Sequence, residues 1–439
     1  MHRTRPAFTH SNLLARVRST FHEATKEVRK TNGISLVDCL MAGLAIFSLK
    51  YKSLLKFEED RGLKDFMMRN ITLLYGVTSV PCDTYLRERL DNEATLSQIR
   101  HVFAGLFTLM QRSKVLENWK FLGGKYLISL DASGFFSSHS VKCDYCCEKV
   151  TNRGTDKEET TYYHQMLVGS IVSPDMKQVL PIGFEPVIKA DGDKKNDCER
   201  NCAKRWLELF RESHPQLGAV IVADGLYSNA PFIRMLQEKR CSFIIVAKED
   251  DHKYLYDYFF AGSGEDIGEF TREREKDTSA SYRFMNGVPL NDSNHDILVN
   301  VLYYSERDHK KGKTTKWVWV TDIEITKDNA TSIMKGGRAR WKIENETFNT
   351  LKNQGYNFEH NFGHGYKGLS NVFAGLMMLA FYIDQILESC NLEYQALIKK
   401  YKSRSNVFEK IRSACFHFTI ESFERLYAAI LDPPQERWL

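Results

Sequence analysis

Residues 219–223, Ala-Val-Ile-Val-Ala, form an unbroken apolar run that stops abruptly at Asp224 and Gly225. A run of this length and composition reads as a buried strand, and a buried strand dictates that other elements cover it. Two readings of its end stand side by side. Asp-Gly is a common turn pair; alternatively, the strand delivers the Asp224 carboxylate to a metal ion or a substrate. Which holds depends on what else in the chain can meet it.

The surrounding segments set the fold class. KYLISLDAS (125–133), TYYHQMLVGSIV (161–172) and QVLPIGFEPV (178–187) read as three strands. A charged helix follows over 194–213, then the Asp224 strand, a short helix over 230–240 and a further strand, CSFIIVAK (241–248). Three strands, helix, strand, helix, strand implies an α/β protein with a mixed sheet and helices packed on it. Asp131 is expected to end the first strand as Asp224 ends the fourth.

Residues 250–325 break the pattern. SYRFMNGVPL, HDILVNVLYYSE and KTTKWVWVTDIEI read as antiparallel strands, hence a β-rich insertion. Helix returns near 326, and the last 70 or so residues read as a helical bundle. The first 120 residues are also helical in pattern, with one long helix expected over 35–57. Within 70–91, Gly76 breaks a first helix and Asp83 is placed to cap a second, which carries Arg87 and Arg89. That layout suits a DNA-binding helix-turn-helix and equally a helical hairpin built for packing. The implied organisation is a helical DNA-binding region (1–120), a core in two parts (121–249 and 326–368), the insertion (250–325) and a C-terminal bundle (369–439).

With 439 residues, 43% of them apolar, the chain can bury a large core in two or three domains. A net charge of +5 excludes a histone-like polycation. Arg3, Arg5, Arg16, Arg18, Lys26, Arg29 and Lys30, against two Glu in residues 1–31, equal that whole surplus. Such a basic segment suits phosphate contact or a solvated tail. The N-terminal stretch MHRTRPAFTHSNLL has no apolar export core. The longest apolar stretch, VFAGLMMLAFYI (372–383), is too short to span a bilayer and reads as a buried helix. Together with ten cysteines expected to stay reduced, these features point to a cytoplasmic protein with no membrane partner. Cys143, Cys146 and Cys147, together with Cys198 and Cys202, offer zinc-like spacing only in part, and unpaired thiols are the simpler reading. His360 and His364, in HNFGHG, have a four-residue spacing that on a helix can ligate zinc, but Gly363 and Gly365 argue for a loop, for which DNA contact or plain turn chemistry is the simpler reading.

GRARWKIENETFNTLKNQGYNFEHNFGHG (337–365) opens with a charged helix. Arg340 and Glu344 lie one turn apart on a common face, whereas Glu346 is turned roughly 200° from Glu344. Asp131, Asp224 and Glu344 would together make an all-oxygen pocket suited to hard divalent cations. Without a cation, three crowded acids would repel one another and raise their pKa values. Asp197 and Glu199, on or near the charged helix, are candidates for supporting roles or a plain solvated face. Trp341, Tyr303, Tyr304, Trp317 and Trp319 are candidates for stacking on unpaired bases or for core packing.

This succession of strand-Asp (LISLDAS), strand-Asp-Gly (VIVADGLYSN), β-rich insertion and RWKIENETFNTLK resembles the DDE transposases of bacterial insertion sequences. More narrowly, it resembles the insertion-sequence-four-like group, whose RNase H-like core is interrupted by strands before the glutamate. The resemblance implies an enzyme that cleaves DNA at transposon ends and joins the 3′-hydroxyl to target DNA, acting as a homodimer on double-stranded DNA. It implies Mg²⁺ or Mn²⁺ as cofactor, held by Asp131, Asp224 and Glu344. A nuclease without strand transfer and a non-catalytic DNA-binding derivative are the rivals. The family's signature runs Tyr, two residues, Arg, three residues, Glu, six residues, Lys. Arg340 and Glu344 match it, Gly337 stands at the tyrosine position, and Lys352 follows Glu344 by seven intervening residues. In an unbroken α-helix, that extra residue turns Lys352 about 100° from the expected face. Arg340, Lys352, Arg87 and Arg89 are the expected DNA contacts.

Overall fold

Among the described residues, ten strands form one continuous sheet: β1 (Tyr126–Ser138), β2 (Cys147–Thr151), β3 (Glu159–Val172), β4 (Leu180–Val187), β5 (Ala219–Ala223), β6 (Ser242–Val246), β7 (Ile267–Arg274), β8 (Thr278–Pro289), β9 (Leu298–Asp308) and β10 (Lys313–Thr321). Their order is β2-β3-β1-β5-β6-β10-β9-β8-β7, with β4 pairing β3 off this path. The computed structural model describes residues 4–25, 33–63, 66–192, 195–262, 267–274 and 277–433. Arg3, Lys26, Arg29 and Lys30 of the basic segment lie outside the described residues, as does the side chain of Asp197.

Strand direction fixes the class. β1, β3 and β4 are antiparallel neighbours, whereas β5 and β6 continue the sheet parallel to β1. This is the RNase H-like α/β arrangement. Every residue of β5 is buried, as its uninterrupted apolar run requires, because helices cover both faces. One of these is Lys195–Ser213, whose Trp206 lies so close to β3 that a Cβ at Gly169 would stand 2.0 Å from its ring. The glycine is therefore fixed by packing.

The β-rich segment differs from the simple picture of an insertion. It contributes four strands, and β10 pairs antiparallel with β6 through Trp319–Thr321. The segment therefore extends the core sheet. β2, a short hairpin partner of β3, carries too little apolar alternation to be seen in sequence.

The helical regions pack together against this sheet. Leu369–Cys390 is long and apolar enough to cross a membrane by composition, and its apolar window is fully buried within the protein. It is wedged between β4 and the helix Leu36–Ser48. A Cβ at Gly375 would stand 2.8 Å from Phe184, and one at Gly43 would stand 2.8 Å from Leu376. The long helix expected over 35–57 is in fact two, Leu36–Ser48 and Leu54–Leu63. They part where Lys50 takes a left-handed backbone conformation (φ 55°). Its ammonium turns inward to Asp384, 2.8 Å away and also bonded by the Tyr356 hydroxyl. Burial pushes the Lys50 pKa down, against the pull of Asp384. The two helices around Gly76 (φ 67°) are Phe66–Tyr75 and Asp83–Leu90. Cys82, not Asp83, occupies the capping position, and the Asp83 carboxylate instead pairs with Arg87 at 2.8 Å.

Candidate active site

The parallel pairing of β1 with β5 determines where the two aspartates stand. Tyr126 faces Ala219, and the register runs to Ser129 opposite Val222. Carried two residues past the last paired position, it brings Asp131 level with Asp224. β5 has ended by then, and Asp224 accepts a hydrogen bond from the Leu226 N–H at 2.9 Å, capping a short turn. So the Asp-Gly pair does make a turn, and the turn holds the carboxylate in place. Asp131 does not end its strand: β1 runs on to Ser138, with a register shift between Gly134 and Phe136.

Asp131 and Asp224 line one open cavity of about 710 Å³, together with Glu199 and Lys248. Burial pushes the Asp131 pKa up to about 6 from the usual 3.8. The Ala132 N–H and the Arg340 charge oppose the rise, while Asp224 and Glu199 add to it. Glu199 is steadied by the Tyr227 hydroxyl and the Gln165 amide, each at 3.0 Å. The space over Gly225 is not open, because the aliphatic stem of Lys248 lies 3.3 Å from where a Cβ would be. Lys248 was missed in sequence, although it follows the apolar run of β6 much as Asp224 follows β5.

Arg340 and Glu344 do not share one unbroken helix: Arg340 caps the end of the helix Ala330–Ala339, and Glu344 stands in the π-helical turn Ile343–Phe348 that follows. The junction lies against β1, where the Ser129 hydroxyl donates to the Arg340 carbonyl at 3.2 Å. Arg340 reaches Asp131, Nη1 to Oδ2 being 3.7 Å. Glu344 is exposed one turn further on. It is not among the residues lining the cavity. Among the described residues, the three acids do not form a group with all ligand atoms within 4.8 Å of one another.

Both departures from the signature have a physical account. A Cβ at Gly337 would stand 2.5 Å from the indole nitrogen of Trp319, which is 1% exposed. The tryptophan of β10 fills the space where the tyrosine would begin. Ile343–Phe348 is a π-helical turn leading directly into the helix Asn349–Asn353. A π turn takes up one residue more than an α turn. The extra residue before Lys352 is thereby absorbed, and Lys352 returns to the face of Glu344. Lys352 is paired with Glu359 at 2.8 Å.

Arg87 and Arg89 are exposed on the helix Asp83–Leu90. In the basic segment, Arg5 and Arg18 serve the fold, Arg5 donating to the Ser113 carbonyl at 2.7 Å and Arg18 pairing with Asp38 at 3.1 Å. Of the aromatics considered for base stacking, Trp319 and Tyr304 are buried, Trp317 packs on Tyr304 and Arg338, and Tyr303 packs on Phe260. Trp341, 59% exposed, remains available. Among the described residues, Cys147, Cys198 and Cys202 belong to no metal-binding group, and each donates to a main-chain carbonyl.

A sheet of this order, with one acid on β1, a second directly after the parallel β5, and an arginine at the end of a later helix beside the first, defines an RNase H-like core. Residues 114–382, more than half of the chain, match the family described as the Transposase DDE domain, and the chain belongs to that family. DNA is the partner that membership implies. No curated relative matches the chain.

Proposed function

We propose that the protein is a transposase of the insertion-sequence-four-like group that cleaves DNA at transposon ends and transfers the resulting 3′-hydroxyl to target DNA. The observation that carries this reading is the level placement of Asp131 and Asp224 over one cavity, with Arg340 beside Asp131. The donor set fits Mg²⁺ or Mn²⁺: all-oxygen and open to solvent, with an Asp131 carboxylate whose pKa is raised first by burial and further by the charges of Asp224 and Glu199. Asp131, Asp224 and Glu344 would hold the ions. When bound, these supply Lewis-acid activation of the attacking oxygen and charge stabilisation of the leaving one.

The chain's own residues provide the rest. Arg340 steadies the Asp131 carboxylate and faces the position of the scissile phosphate. Lys352, returned by the π turn to the Glu344 face, contacts the phosphate backbone once released from Glu359. Arg87 and Arg89 hold flanking DNA through its phosphates, which gives affinity without sequence reading. The cavity is broad enough for a DNA backbone, and two transposon ends would be paired by two copies of the chain.

A strand-transfer assay with end-labelled transposon termini and supercoiled target, in Mg²⁺ or Mn²⁺, tests the proposal. Joined products that disappear in Asp131→Asn, Asp224→Asn and Glu344→Gln are expected. Cleavage without joining would make the protein a nuclease. Binding unaccompanied by either reaction would make it a non-catalytic derivative.

A further inference from the structure

We infer that Cys143, Cys146, His164 and His364 form a structural zinc site, separate from the acidic cavity. The four residues come from three distant parts of the chain. Cys143 and Cys146 lie on the connection between β1 and β2, His164 is on β3, and His364 is in the loop after the Glu344 helix. Their ligand atoms all lie within 4.8 Å of one another, and three of the four residues are buried.

The distances fit a tetrahedral ion. Zinc held at about 2.3 Å by two sulfurs and about 2.05 Å by two nitrogens requires edges of roughly 3.8 Å (S–S), 3.6 Å (S–N) and 3.3 Å (N–N). The two sulfurs are 3.8 Å apart. Cys143 Sγ to His164 Nε2 is 3.6 Å, and Cys146 Sγ stands 3.4 Å from His164 Nε2 and 3.3 Å from His364 Nε2. The two Nε2 atoms are 3.2 Å apart. The sulfur separation is far too long for a disulfide, whose sulfurs lie about 2.05 Å apart.

The surroundings support ligation. His364 Nδ1 donates to the Gly365 carbonyl at 3.0 Å, which leaves Nε2 with its lone pair directed at the other three atoms. The Cys143 N–H points at Cys146 Sγ, 3.5 Å away. The His164 ring is stacked on Phe135, with centroids 5.8 Å apart, and so is held in orientation. Two sulfurs with two imidazoles in tetrahedral array favour zinc over the harder ions expected in the acidic cavity.

The position suggests what the site is for. His164 is opposite Phe136 on β1, the strand that carries Asp131. His364 lies in the segment leaving the Glu344 helix, and the next backbone N–H groups, of Tyr366, Lys367 and Leu369, bond the Asp91 carboxylate at 2.8–3.0 Å. Asp91 directly follows the helix bearing Arg87 and Arg89. Zinc would therefore staple the exit of the glutamate helix to the aspartate strand, next to the proposed DNA-contacting helix. The inference stands whether or not the protein performs strand transfer.

The test is metal content. The full-length chain, expressed with zinc and purified under reducing conditions, should hold about one zinc per chain after dialysis. Cys143→Ser and His364→Ala should lose it, and Asp224→Asn should keep it. X-ray absorption on the unaltered protein should report two sulfur and two nitrogen neighbours, a readout that does not depend on the variants folding. A zinc-free chain, a Cys143–Cys146 disulfide, retention of zinc in both ligand variants or a different donor set would each overturn the inference.

Discussion

Replacing Asp131 with Asn should stabilise the protein in the absence of added divalent cation while abolishing its chemistry. Asp131 titrates at about 6 in the folded chain against 3.8 ordinarily. A shift of about 2 units corresponds to about 3 kcal/mol of penalty on the ionised form. That figure already contains the opposing help from Arg340 and the Ala132 N–H, because it is the net shift. Asn keeps an acceptor for Ala132 but turns an amide toward Arg340, so the gain at pH 8 should be about 1–2 kcal/mol. The sign follows from the raised pKa. The proton's contribution to stability is complete below about pH 3.8 and gone above about pH 6, so the native protein loses it across that window while the variant has nothing to lose. Urea unfolding at pH 4, 6 and 8 should show the variant drawing ahead between pH 4 and 6 and holding its lead to pH 8. Added Mg²⁺ or Mn²⁺ at 100 times its Kd should then stabilise the native protein by about 2.7 kcal/mol and leave the variant unchanged. A variant less stable than the native protein at pH 8, or a gap independent of pH, would refute the claim that desolvation and crowded charge govern this carboxylate.

Asp384→Ala should destabilise by about 3–5 kcal/mol in urea unfolding, because it strands the Lys50 ammonium in the core, where its attraction to the Tyr356 ring at 3.7 Å is poor replacement. Restoring the signature tyrosine with Gly337→Tyr should lower stability by about 1–3 kcal/mol through collision with Trp319. Adding Trp319→Ala should recover part of that loss, visible as non-additivity in a double-mutant cycle. Deleting the exposed Asn345 should convert the π turn to ordinary α-helix while leaving Glu344 and Lys352 on one face. Helical content by circular dichroism and the unfolding midpoint should therefore change little, whereas deleting Asn353, beyond the π turn, should not be absorbed in this way.

Much of the core was legible because its strands are short, apolar and bounded by charge. β5 and β6 show this, whereas the register that brings Asp131 level with Asp224 belongs to the parallel pairing of β1 with β5 and is visible only in the fold. What escaped reading lay in long-range contact. The break at Lys50 depends on Asp384, 334 residues away, and no local pattern announces it. β10 was read as a strand of an insertion, yet its pairing with β6 makes it part of the core sheet. Cys146 and His364 are 218 residues apart; the first stands in a zinc-like spacing that reads more simply as unpaired thiols, the second in a glycine-rich loop, and only the fold brings them together.

The two signature departures look like decay when read as a string, and the fold gives each a compensation. Gly337 yields its volume to Trp319, so the helix still seats against the sheet, and the π turn returns Lys352 to the Glu344 face. A site drifting without constraint would keep neither the clearance over one glycine nor a one-residue insertion matched by a one-residue change in helical pitch. The pairing of each change with its compensation is thus an argument, independent of the three acids, that the geometry of the Arg340–Lys352 helix is being held for use.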